Sequence, residues 1–333
     1  MTKVGIIGGG SWGTTLADLL VRKGHDVRLW AYEPAVVESI NRDHVNAQFL
    51  AGSRLAEGVL ASSDLAEVAS GAELLVSAAP SHAVRSVSAQ IRTRLDGTPR
   101  AVVSVSKGLE AETLKTMTDV LRETLGGLPV VALSGPSFAQ EVFDRQPTAL
   151  VAASEDAVAA TLVQRTFATG YFRVYTSEDR LGVELGGALK NVVAIAAGVL
   201  HGLGLGHNAM AALITRGLAE MTRLGEAMGA SAHTFAGLAG MGDLILTATG
   251  ALSRNRALGV ELAEGRSLDE ILTSRRTVAE GVRSAKAAVD LAGQVGVELP
   301  IAVEVANILF AGKSPATALR DLMERELKAE QWR

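Results

Sequence analysis

Val4-Gly5-Ile6-Ile7-Gly8-Gly9-Gly10-Ser11-Trp12-Gly13 is the stretch of sequence that decides the fold class. It begins as a short apolar strand, its glycines fit the spacing G-x-G-x-x-G, and a helical pattern follows at once. Gly8 permits a tight turn, Gly10 lets the backbone approach a pyrophosphate, and Gly13 lets the helix pack closely on the strand. The helix N-terminus then presents free N–H groups to an anion. An ordinary glycine-rich turn is the alternative, but the position between strand and helix favours a dinucleotide site.

An acidic residue lies where the dinucleotide pattern expects one. A second strand, Asp26–Trp30, follows the first helix, and Glu33 lies just past its end, twenty residues after Gly13. A carboxylate at this point of the fold can accept hydrogen bonds from the ribose hydroxyls of NAD. The strand, the glycines and the acid together predict a dinucleotide-binding domain rather than a simple turn.

Strands and helices continue to alternate through the first half of the chain. Further strands are predicted at 74–79, 101–106, 130–134, 149–153 and 172–175, with a helix at 81–95. Such alternation predicts parallel β-α units, whose ligands bind beyond the carboxyl ends of the strands. Lys107 and Ser137 follow two of those ends, so both are expected near a ligand, although Lys107 also fits a solvated loop lysine. The polar run at 177–180 marks the predicted end of this domain.

The second half of the chain reads as a separate domain. From Gly182 onward the β pattern disappears, which predicts a dinucleotide-binding domain over 1–180 and an all-helical domain over 181–333. The helix at 182–200 is apolar on all sides, and its only strongly polar side chains after Glu184 are Lys190 and Asn191. Burial lowers the pKa of a lysine and makes it available as a general base. A lysine that extends to the surface is an equal alternative.

Two groups of polar residues in the helical domain have both a structural and a functional interpretation. Asp243 lies between glycines and an apolar run, where it could cap a helix and would share one helix face with Thr247. Ser253, Arg254 and Asn255 open another helix. A serine cap with a guanidinium and an amide makes a good anion site, but it also fits ordinary capping beside surface arginines.

Other patterns in this domain have mainly structural readings. Asn208 is predicted to cap the helix that follows a glycine-broken segment, and Arg216 with Glu220 fits a solvated i,i+4 ion pair. Thr277 and Glu280 match a capping box, which is a full structural reason for the glutamate.

The composition excludes several classes of protein. The 333 residues are 48% hydrophobic, enough for two folded domains. The net charge of -4 argues against a nucleic-acid binder that depends on overall positive charge. Without cysteine there are no disulfides, thiolate nucleophiles or cysteine-ligated metals, and six scattered histidines predict no metal site. We read no signal peptide and no apolar run long enough to span a bilayer, so we expect a cytoplasmic protein without a membrane anchor.

In combination, these motifs resemble those of the bacterial-type NAD(P)-dependent sn-glycerol-3-phosphate dehydrogenases. The resemblance covers essentially the whole chain, and the motifs that carry it are 8–13, 106–110, 134–139, 189–191, 237–243, 253–256 and 278–281. It implies a Rossmann-like α/β domain followed by an all-helical domain, with NAD or NADP as cofactor. It also implies reversible hydride transfer between sn-glycerol 3-phosphate and dihydroxyacetone phosphate, feeding glycerophospholipid synthesis. A homodimer is expected.

The resemblance also implies roles for individual residues. Lys190 matches the general base, and Arg254 with Asn255 would hold the substrate phosphate. The predicted substrate-binding residues are Lys107, Gly135, Ser137, Asn191, Asp243, Thr247, Ser253, Arg254 and Asn255. The predicted cofactor-binding residues are Gly8, Gly10, Ser11, Trp12, Gly13, Tyr32, Glu33, Lys107, Ala139, Arg254, Val278 and Glu280.

The chain departs from the family pattern at a few positions. The family usually has an acid at His201 and His207, Lys at Met210, and Lys or Arg at Gln140. It usually has Arg or His at Tyr32, and a tyrosine brings no positive charge to offset the repulsion between Glu33 and a 2′-phosphate.

The departure at Tyr32 bears on the cofactor preference, and the fold class leaves two alternative functions open. Use of both cofactors with NAD(H) preferred is the prediction, unless Arg28, Arg42 or Arg54 supplies the missing charge. One rival is another two-domain dehydrogenase acting on a small hydroxy acid. The other is a nucleotide-binding sensor without catalysis. The presence of Lys190, Asp243 and Arg254 together argues against the sensor.

Overall fold

The first part of the chain forms an α/β domain around one large sheet in the computed structural model, which describes residues 1–274, 279–327, 329 and 330. The strands are β1 (Lys3–Ile7), β2 (Asp26–Trp30), β3 (Val45–Asn46), β4 (Leu50–Arg54), β5 (Leu60–Ser62), β6 (Leu74–Ser77), β7 (Ala101–Ser104), β8 (Val130–Ser134), β9 (Thr148–Ala153) and β10 (Phe172–Ser177). The helices of this domain are α1 (Ser11–Arg22), α2 (Pro34–Asp43), α3 (Leu65–Ala69), α4 (Val84–Arg92), α5 (Met117–Leu125), α6 (Ala139–Phe143) and α7 (Ala157–Phe167).

The large sheet is doubly wound. Its strand order is β10-β9-β8-β7-β6-β1-β2-β5, while β3 and β4 form a separate hairpin. Successive residues of a strand point to opposite faces. In β6, Leu74 and Val76 accordingly join one buried apolar cluster and Leu75 joins another. The chain crosses from β2 and β5 to β6 on the other side of β1, and such a switch point is where these sheets bind ligands.

The sheet confirms most of the sequence prediction and corrects part of it. The strands predicted at 26–30 and 130–134 have those bounds, but β9 runs antiparallel to β8 rather than parallel. The helix predicted at 81–95 begins as a 3-10 turn over Ser81–Ala83 and continues as α4 only to Arg92. The short β3, β4 and β5 and the helices α2, α3, α5 and α7 were not predicted.

The remaining described residues form a domain of helices, with no strand between residue 180 and residue 330 among those described. They are α8 (Arg180–Gly202), α9 (His207–Ala227), α10 (Ala232–Phe235), α11 (Asp243–Thr249), α12 (Arg254–Ala263), α13 (Leu268–Ser274), α14 (Glu280–Val295), α15 (Pro300–Phe310) and α16 (Pro315–Met323). A π turn, Leu238–Gly242, leads into α11. The division into domains after residue 180 remains a prediction; the last strand ends at Ser177 and α8 begins at Arg180.

Helix α8 is the central element of the helical domain. It packs against α9, α11, α12, α14 and α15, and it also touches β8 of the sheet. Its glycines allow close approach. A Cβ added to Gly198 would lie 2.0 Å from the carbonyl oxygen of Arg256, and one added to Gly259 would lie 2.0 Å from that of Ile195. The backbones of α8 and α12 are therefore in direct contact.

By length and composition alone, α8 could cross a membrane. The sequence prediction that no apolar run is long enough is therefore wrong. In the described residues one further candidate exists, the bent pair Ala232–Thr249 and Arg254–Ala263. Of the most apolar window of α8, 94% is buried inside the protein, which is the property of a core helix.

Two of the structural readings in this domain are corrected by the fold. Helix α9 begins at His207 with Gly206 in the cap position, so Asn208 is not its cap. Glu220 is buried and accepts hydrogen bonds from the backbone N–H groups of Ile301 (2.7 Å) and Ala302 (3.3 Å) at the start of α15. It is therefore no solvated ion pair with Arg216. The Thr277 part of the capping box lies outside the described residues.

Candidate active site

The glycine-rich loop has the geometry that a dinucleotide site needs. Gly8 has a φ of +132°, and a Cβ there would lie 2.6 Å from the backbone of Ala78. A Cβ on Gly13 would lie 2.0 Å from the carbonyl oxygen of Gly8, whereas Gly10 has nothing within 4 Å of its Cβ position. Gly10 is the cap residue of α1, and no side chain occupies the N–H groups of that helix start, where Ser11 is the first residue. The loop is tight on two sides and open on the side where an anion would lie.

Asn46 holds the glycine-rich loop in place through hydrogen bonds, and the sequence did not indicate this role. Its amide donates to the carbonyl oxygen of Gly9 and to Oγ1 of Thr14, both at 2.8 Å, and its own oxygen accepts from the N–H of Phe49. The side chain is fully buried. A buried amide with all these partners fixes the hairpin of β3 and β4 against the loop. Trp12 packs against the apolar core of the sheet domain, with its ring 6.5 Å from that of Phe172.

The end of β2 carries the predicted ribose contacts. Tyr32 is 78% exposed, with its ring 6.4 Å from that of Trp30, and Glu33 caps no helix although it stands at the start of α2. The guanidinium of Arg28 forms a salt bridge with the carboxylate of Glu67, with 2.7 Å between nitrogen and oxygen, and is therefore not directed to a cofactor phosphate. Arg42 is likewise bound to Glu38 and Asp43, both at 2.8 Å. Two of the three arginines considered as phosphate ligands are thus engaged elsewhere.

Lys190 is buried in the middle of α8 and does not extend to the surface. Its Nζ atom lies 2.5 Å from Oδ1 of Asp243 and 2.7 Å from Oγ1 of Thr247. The hydroxyl of Thr247 donates its own hydrogen to the backbone oxygen of Asp243 at 2.7 Å, so it serves Lys190 as an acceptor. Asp243 is 1% exposed and is the first residue of α11, but its carboxylate binds lysines and caps no helix.

A second lysine shares the same carboxylate. Nζ of Lys107 donates to Oδ2 of Asp243 at 2.6 Å and to the backbone oxygen of Gly135 at 3.0 Å. Lys107 comes from the segment after β7, and Gly135 from the turn after β8. Asp243 therefore joins the carboxyl edge of the sheet to the buried helix α8.

This environment lowers the pKa of Lys190 to about 7. Burial, which disfavours the charged form, is the largest cause, and the positive charge of Lys107 lowers the pKa further. The carboxylate of Asp243 acts in the opposite direction and only partly offsets these effects. An amine with a pKa near neutrality can both accept and return a proton at physiological pH.

The two asparagines predicted to bind substrate are linked to each other. Nδ2 of Asn255 donates to Oδ1 of Asn191 at 2.9 Å, and Oδ1 of Asn255 accepts from the N–H of Gly281 at 3.0 Å. Both side chains are buried. Ser253 caps α12, as expected, because its hydroxyl accepts a hydrogen bond from the N–H of Arg256 at 3.2 Å. Arg254 is the first residue of that helix and is exposed.

The turn after β8 supplies the remaining predicted contacts of the sheet edge. Ser137 donates its hydroxyl hydrogen to the backbone oxygen of Gly135 at 3.0 Å, the same oxygen that accepts from Lys107. Ala139 begins α6, and its backbone oxygen accepts from the hydroxyl of Thr15 on α1 at 3.2 Å. The turn is thereby fixed to both the glycine-loop helix and the lysine pair.

Glu280 crosses from the helical domain to the sheet domain. Its carboxylate accepts from the hydroxyl of Ser81 at 2.6 Å and from the N–H of Ser81 at 3.2 Å. The neighbouring Val278 lies outside the described residues. No sequence pattern pointed to Ser81, which looks like an ordinary helix start.

The family departures lie away from the lysine pair. His201 and His207 are exposed at the end of α8 and the start of α9, and Met210 packs against the core of the helical domain. Gln140 on α6 donates to Asp144 at 3.1 Å. Among the described residues, no cluster of three His, Asp or Glu could hold a metal ion.

A doubly wound sheet with an open glycine loop, facing a buried lysine of low pKa on a central helix, is the build of a two-domain nicotinamide-dependent dehydrogenase. Comparison with known proteins gives the family. Residues 3–160 match the description "NAD-dependent glycerol-3-phosphate dehydrogenase N-terminus" and residues 179–320 match "NAD-dependent glycerol-3-phosphate dehydrogenase C-terminus". The chain belongs to the NAD-dependent glycerol-3-phosphate dehydrogenase family.

Individual relatives agree over the whole length. A protein of Geobacter metallireducens named glycerol-3-phosphate dehydrogenase [NAD(P)+] is 54% identical, with 98% of each chain covered. The crystal structure of glycerol-3-phosphate dehydrogenase from Coxiella burnetii has a TM-score of 0.93 at 38% identity, covering 97% of this chain and 99% of that one. The yeast enzyme has a TM-score of 0.82 at 28% identity, covering 97% and 99%. The predicted family, fold class, enzyme class, activity and NAD(P) cofactor are confirmed.

Proposed function

We propose that Lys190 is the acid–base group for reversible hydride transfer between sn-glycerol 3-phosphate and dihydroxyacetone phosphate in this chain. The observation that carries the proposal is the bonding of its Nζ atom. A lysine ammonium has three N–H donors. Asp243 and Thr247 accept two of them, which leaves one direction for a substrate oxygen.

The two fixed acceptors also define the base form of the lysine. When Nζ is neutral it can keep both N–H bonds, and because the hydroxyl hydrogen of Thr247 is already given to the backbone oxygen of Asp243, Thr247 does not donate to the lone pair. The lone pair then points in the third direction. In oxidation it takes the proton of the substrate 2-hydroxyl, and in reduction the ammonium returns that proton to the ketone oxygen.

Lys107 completes the charge balance around the reacting oxygen. Two ammonium groups share the single carboxylate of Asp243, so the group as a whole is positive when both lysines are protonated. Positive charge held in a protein interior stabilises the partial negative charge that develops on the substrate oxygen. Lys107 also retains one N–H beyond those given to Asp243 and Gly135, and we assign it to a substrate oxygen.

The start of α12 is proposed to hold the substrate phosphate. Arg254 and the N–H groups of this helix start form an anion site, with Ser253 and Asn255 at its edge. Asn255 and Asn191 hold one another, which fixes α12 relative to the lysine on α8. Binding energy from the remote phosphate can then align the reacting carbon with the lysine.

The glycine loop, Tyr32 and Glu33 are proposed to bind the nicotinamide cofactor, together with Lys107, Ala139, Arg254, Val278 and Glu280. When bound, the cofactor supplies or accepts the hydride. Tight packing at Gly8 and Gly13 and open space at Gly10 support this assignment. The carboxylate of Glu33 beside the uncharged Tyr32 supports a preference for NAD(H), since a carboxylate repels the 2′-phosphate of NADP(H).

A homodimer in the cytoplasm, without a membrane anchor, remains our proposal for the assembly. The support is an apolar groove of about 400 Å³ between α8, α9, α15 and α16, beside Met323, which is 77% exposed. Large exposed apolar patches mark interaction sites. Sedimentation of the protein before and after Met323→Glu tests the dimer, and a monomeric wild type would exclude it.

The decisive experiment is the loss of nicotinamide absorbance with dihydroxyacetone phosphate, run separately with NADH and NADPH. Turnover that requires the phosphate supports this reading, because unphosphorylated dihydroxyacetone lacks the group that Arg254 would bind. Turnover of a small hydroxy acid instead would favour the rival dehydrogenase. Cofactor binding without turnover of any of these substrates would favour the sensor.

A further inference from the structure

The contact between Ser81 and Glu280 is a link between the two parts of the chain that no predicted role explains. Ser81 is 3% exposed and begins the turn that leads into α4. It makes two hydrogen bonds to one carboxylate, from its hydroxyl at 2.6 Å and from its backbone N–H at 3.2 Å. Hydrogen bonds to a charged group are roughly twice as strong as neutral ones. We call this pair the Ser81–Glu280 clasp.

On the sheet side, the clasp is tied to the dinucleotide loop. Ser81 lies just beyond the carboxyl end of β6, in the segment against which Gly8 packs without room for a Cβ. The hydroxyl of Ser106 donates to the backbone oxygen of Ala79 at 2.6 Å and holds the same segment to the strand end of β7. A movement of Ser81 would therefore be felt by the loop that is proposed to bind the cofactor.

On the helical side, the clasp is tied to the catalytic helix. Glu280 is the first residue of α14, and the next N–H, of Gly281, donates to Asn255 at 3.0 Å. Asn255 in turn donates to Asn191 at 2.9 Å, which is the neighbour of Lys190 on α8. A continuous polar chain thus runs from the cofactor domain to the residue beside the proposed base.

Close packing keeps this polar chain in one arrangement. A Cβ on Gly108 would lie 2.9 Å from Cβ of Ser81 and 3.3 Å from Oε2 of Glu280. Gly108 directly follows Lys107, so the backbone next to the lysine that shares Asp243 is packed against the clasp as well. Hydride transfer requires the reacting atoms to be about 3–3.5 Å apart, and a 1 Å misplacement can cost about 10²-fold in rate.

We propose that Ser81 is a positioning residue, which acts through Glu280 to hold the cofactor domain in register with the helix that carries Lys190. The proposal rests on the proposed function of Lys190 and the glycine loop. It assigns Ser81 no contact with the substrate and no proton transfer.

The test uses Ser81→Ala, Glu280→Gln and the double variant in the full-length protein. The control is Ser86→Ala, because Ser86 is an exposed serine of α4 whose hydroxyl donates to the backbone oxygen of Ala83, the cap residue of that helix, and makes no contact with Glu280. For Ser81→Ala we expect kcat to fall by on the order of tenfold, as for one lost hydrogen bond to a charged group, with the KM for dihydroxyacetone phosphate nearly unchanged. Ser86→Ala should match the wild type.

A second measurement separates positioning from simple loss of structure. With NADH deuterated at the transferred position, the isotope effect on kcat should rise in Ser81→Ala, because misalignment slows the chemical step and not product release. Lower stability alone would reduce the amount of active enzyme and leave the isotope effect unchanged. The double variant should lose no more than the larger single variant, since both remove one link.

The outcomes are distinguishable from failure of the proposed function. A wild type inactive with dihydroxyacetone phosphate would overturn the proposed function. In that case amide exchange at Gly281 still tests the clasp, and it should speed up in Ser81→Ala but not in Ser86→Ala. An active wild type with Ser81→Ala within about twofold in kcat, an unchanged isotope effect or additive losses in the double variant would each overturn the positioning role.

Discussion

Replacing Asp243 by asparagine should move the pH dependence of the reaction to lower pH. Each carboxylate oxygen of Asp243 binds one lysine: Oδ1 lies 2.5 Å from Nζ of Lys190, and Oδ2 lies 2.6 Å from Nζ of Lys107. Asparagine has nearly the same shape and no charge. The change therefore removes the shared counter-charge of two lysines while it leaves the volume of this 1% exposed side chain unchanged.

The size of the shift follows from what Asp243 contributes. Burial and the charge of Lys107 lower the pKa of Lys190, and Asp243 raises it. The balance of these three effects is a pKa of about 7. Removing one partner of a buried ion pair costs about 3–5 kcal/mol. A shift of one pKa unit corresponds to about 1.4 kcal/mol. If the two lysines share the loss equally, the pKa of Lys190 falls by on the order of one to two units.

The rate changes with pH in opposite senses for the two directions of the reaction. Reduction of the ketone needs the ammonium form of Lys190, so its rate should decline as the pH rises through the pKa, near 7 in the wild type. Oxidation needs the neutral amine and should rise over the same interval. In Asp243→Asn both midpoints should move to about pH 5–6. Initial rates of both reactions between about pH 5 and 9 would measure this.

The control for this experiment is Asp290→Asn, which changes an exposed carboxylate of α14. Its midpoint should equal that of the wild type. The reasoning would be refuted by a folded Asp243→Asn variant, with an unfolding temperature close to that of the wild type, whose midpoint has not moved or has moved upward. A wild-type midpoint above about pH 9 would refute the assignment of a low pKa to Lys190.

Four further predictions test other parts of the molecule. Lys190→Met should still bind NADH but lose on the order of 10²–10⁴ in kcat, and a loss below about threefold would contradict the base role. Arg254→Ala should raise the KM for dihydroxyacetone phosphate far more than that for dihydroxyacetone; equal effects would show that it binds something else. The ratio kcat/KM should be higher for NADH than for NADPH because the carboxylate of Glu33 would repel the 2′-phosphate and Tyr32 brings no positive charge, and a clear NADPH preference would overturn this. Gly198→Ala should lower the free energy of unfolding by about 1–3 kcal/mol, because its Cβ would lie 2.0 Å from a carbonyl oxygen of α12. By contrast, Gly293→Ala in α14 meets nothing within 4 Å and should stabilise by about 0.5–1 kcal/mol, so similar unfolding curves for the two would count against close helix contact.

The sheet could be predicted where its signal is local. Apolar runs such as Leu74–Ser77 are buried on both faces and read directly as central strands. The edge strand Leu60–Ser62 and the hairpin strand Leu50–Arg54 are short and partly exposed, so they lack that pattern. The direction of β9 could not be read because it depends on pairing with β8, which no property of either strand alone determines.

The site could be predicted in its residue types but not in its pairings. The apolar helix left a buried base and a surface lysine as equal alternatives for Lys190, and the choice between them required its partner. That partner, Asp243, lies 53 residues along the chain, and the sequence left it between helix cap and ligand. Asn46 and Ser81 gave no signal at all, because their importance arises only from what packs against them.

The central position of α8 has a consequence for synthesis of the chain. The carboxylate that partners Lys190 is made 53 residues later than the lysine and 136 residues later than Lys107, so the ribosome makes the apolar helix before the helices that cover it. Until α11, α12 and α14 emerge, a 23-residue segment that could pass for a membrane span is exposed to the cell. A nascent chain stalled within this interval is a natural client for chaperones and a hazard for misdirected insertion.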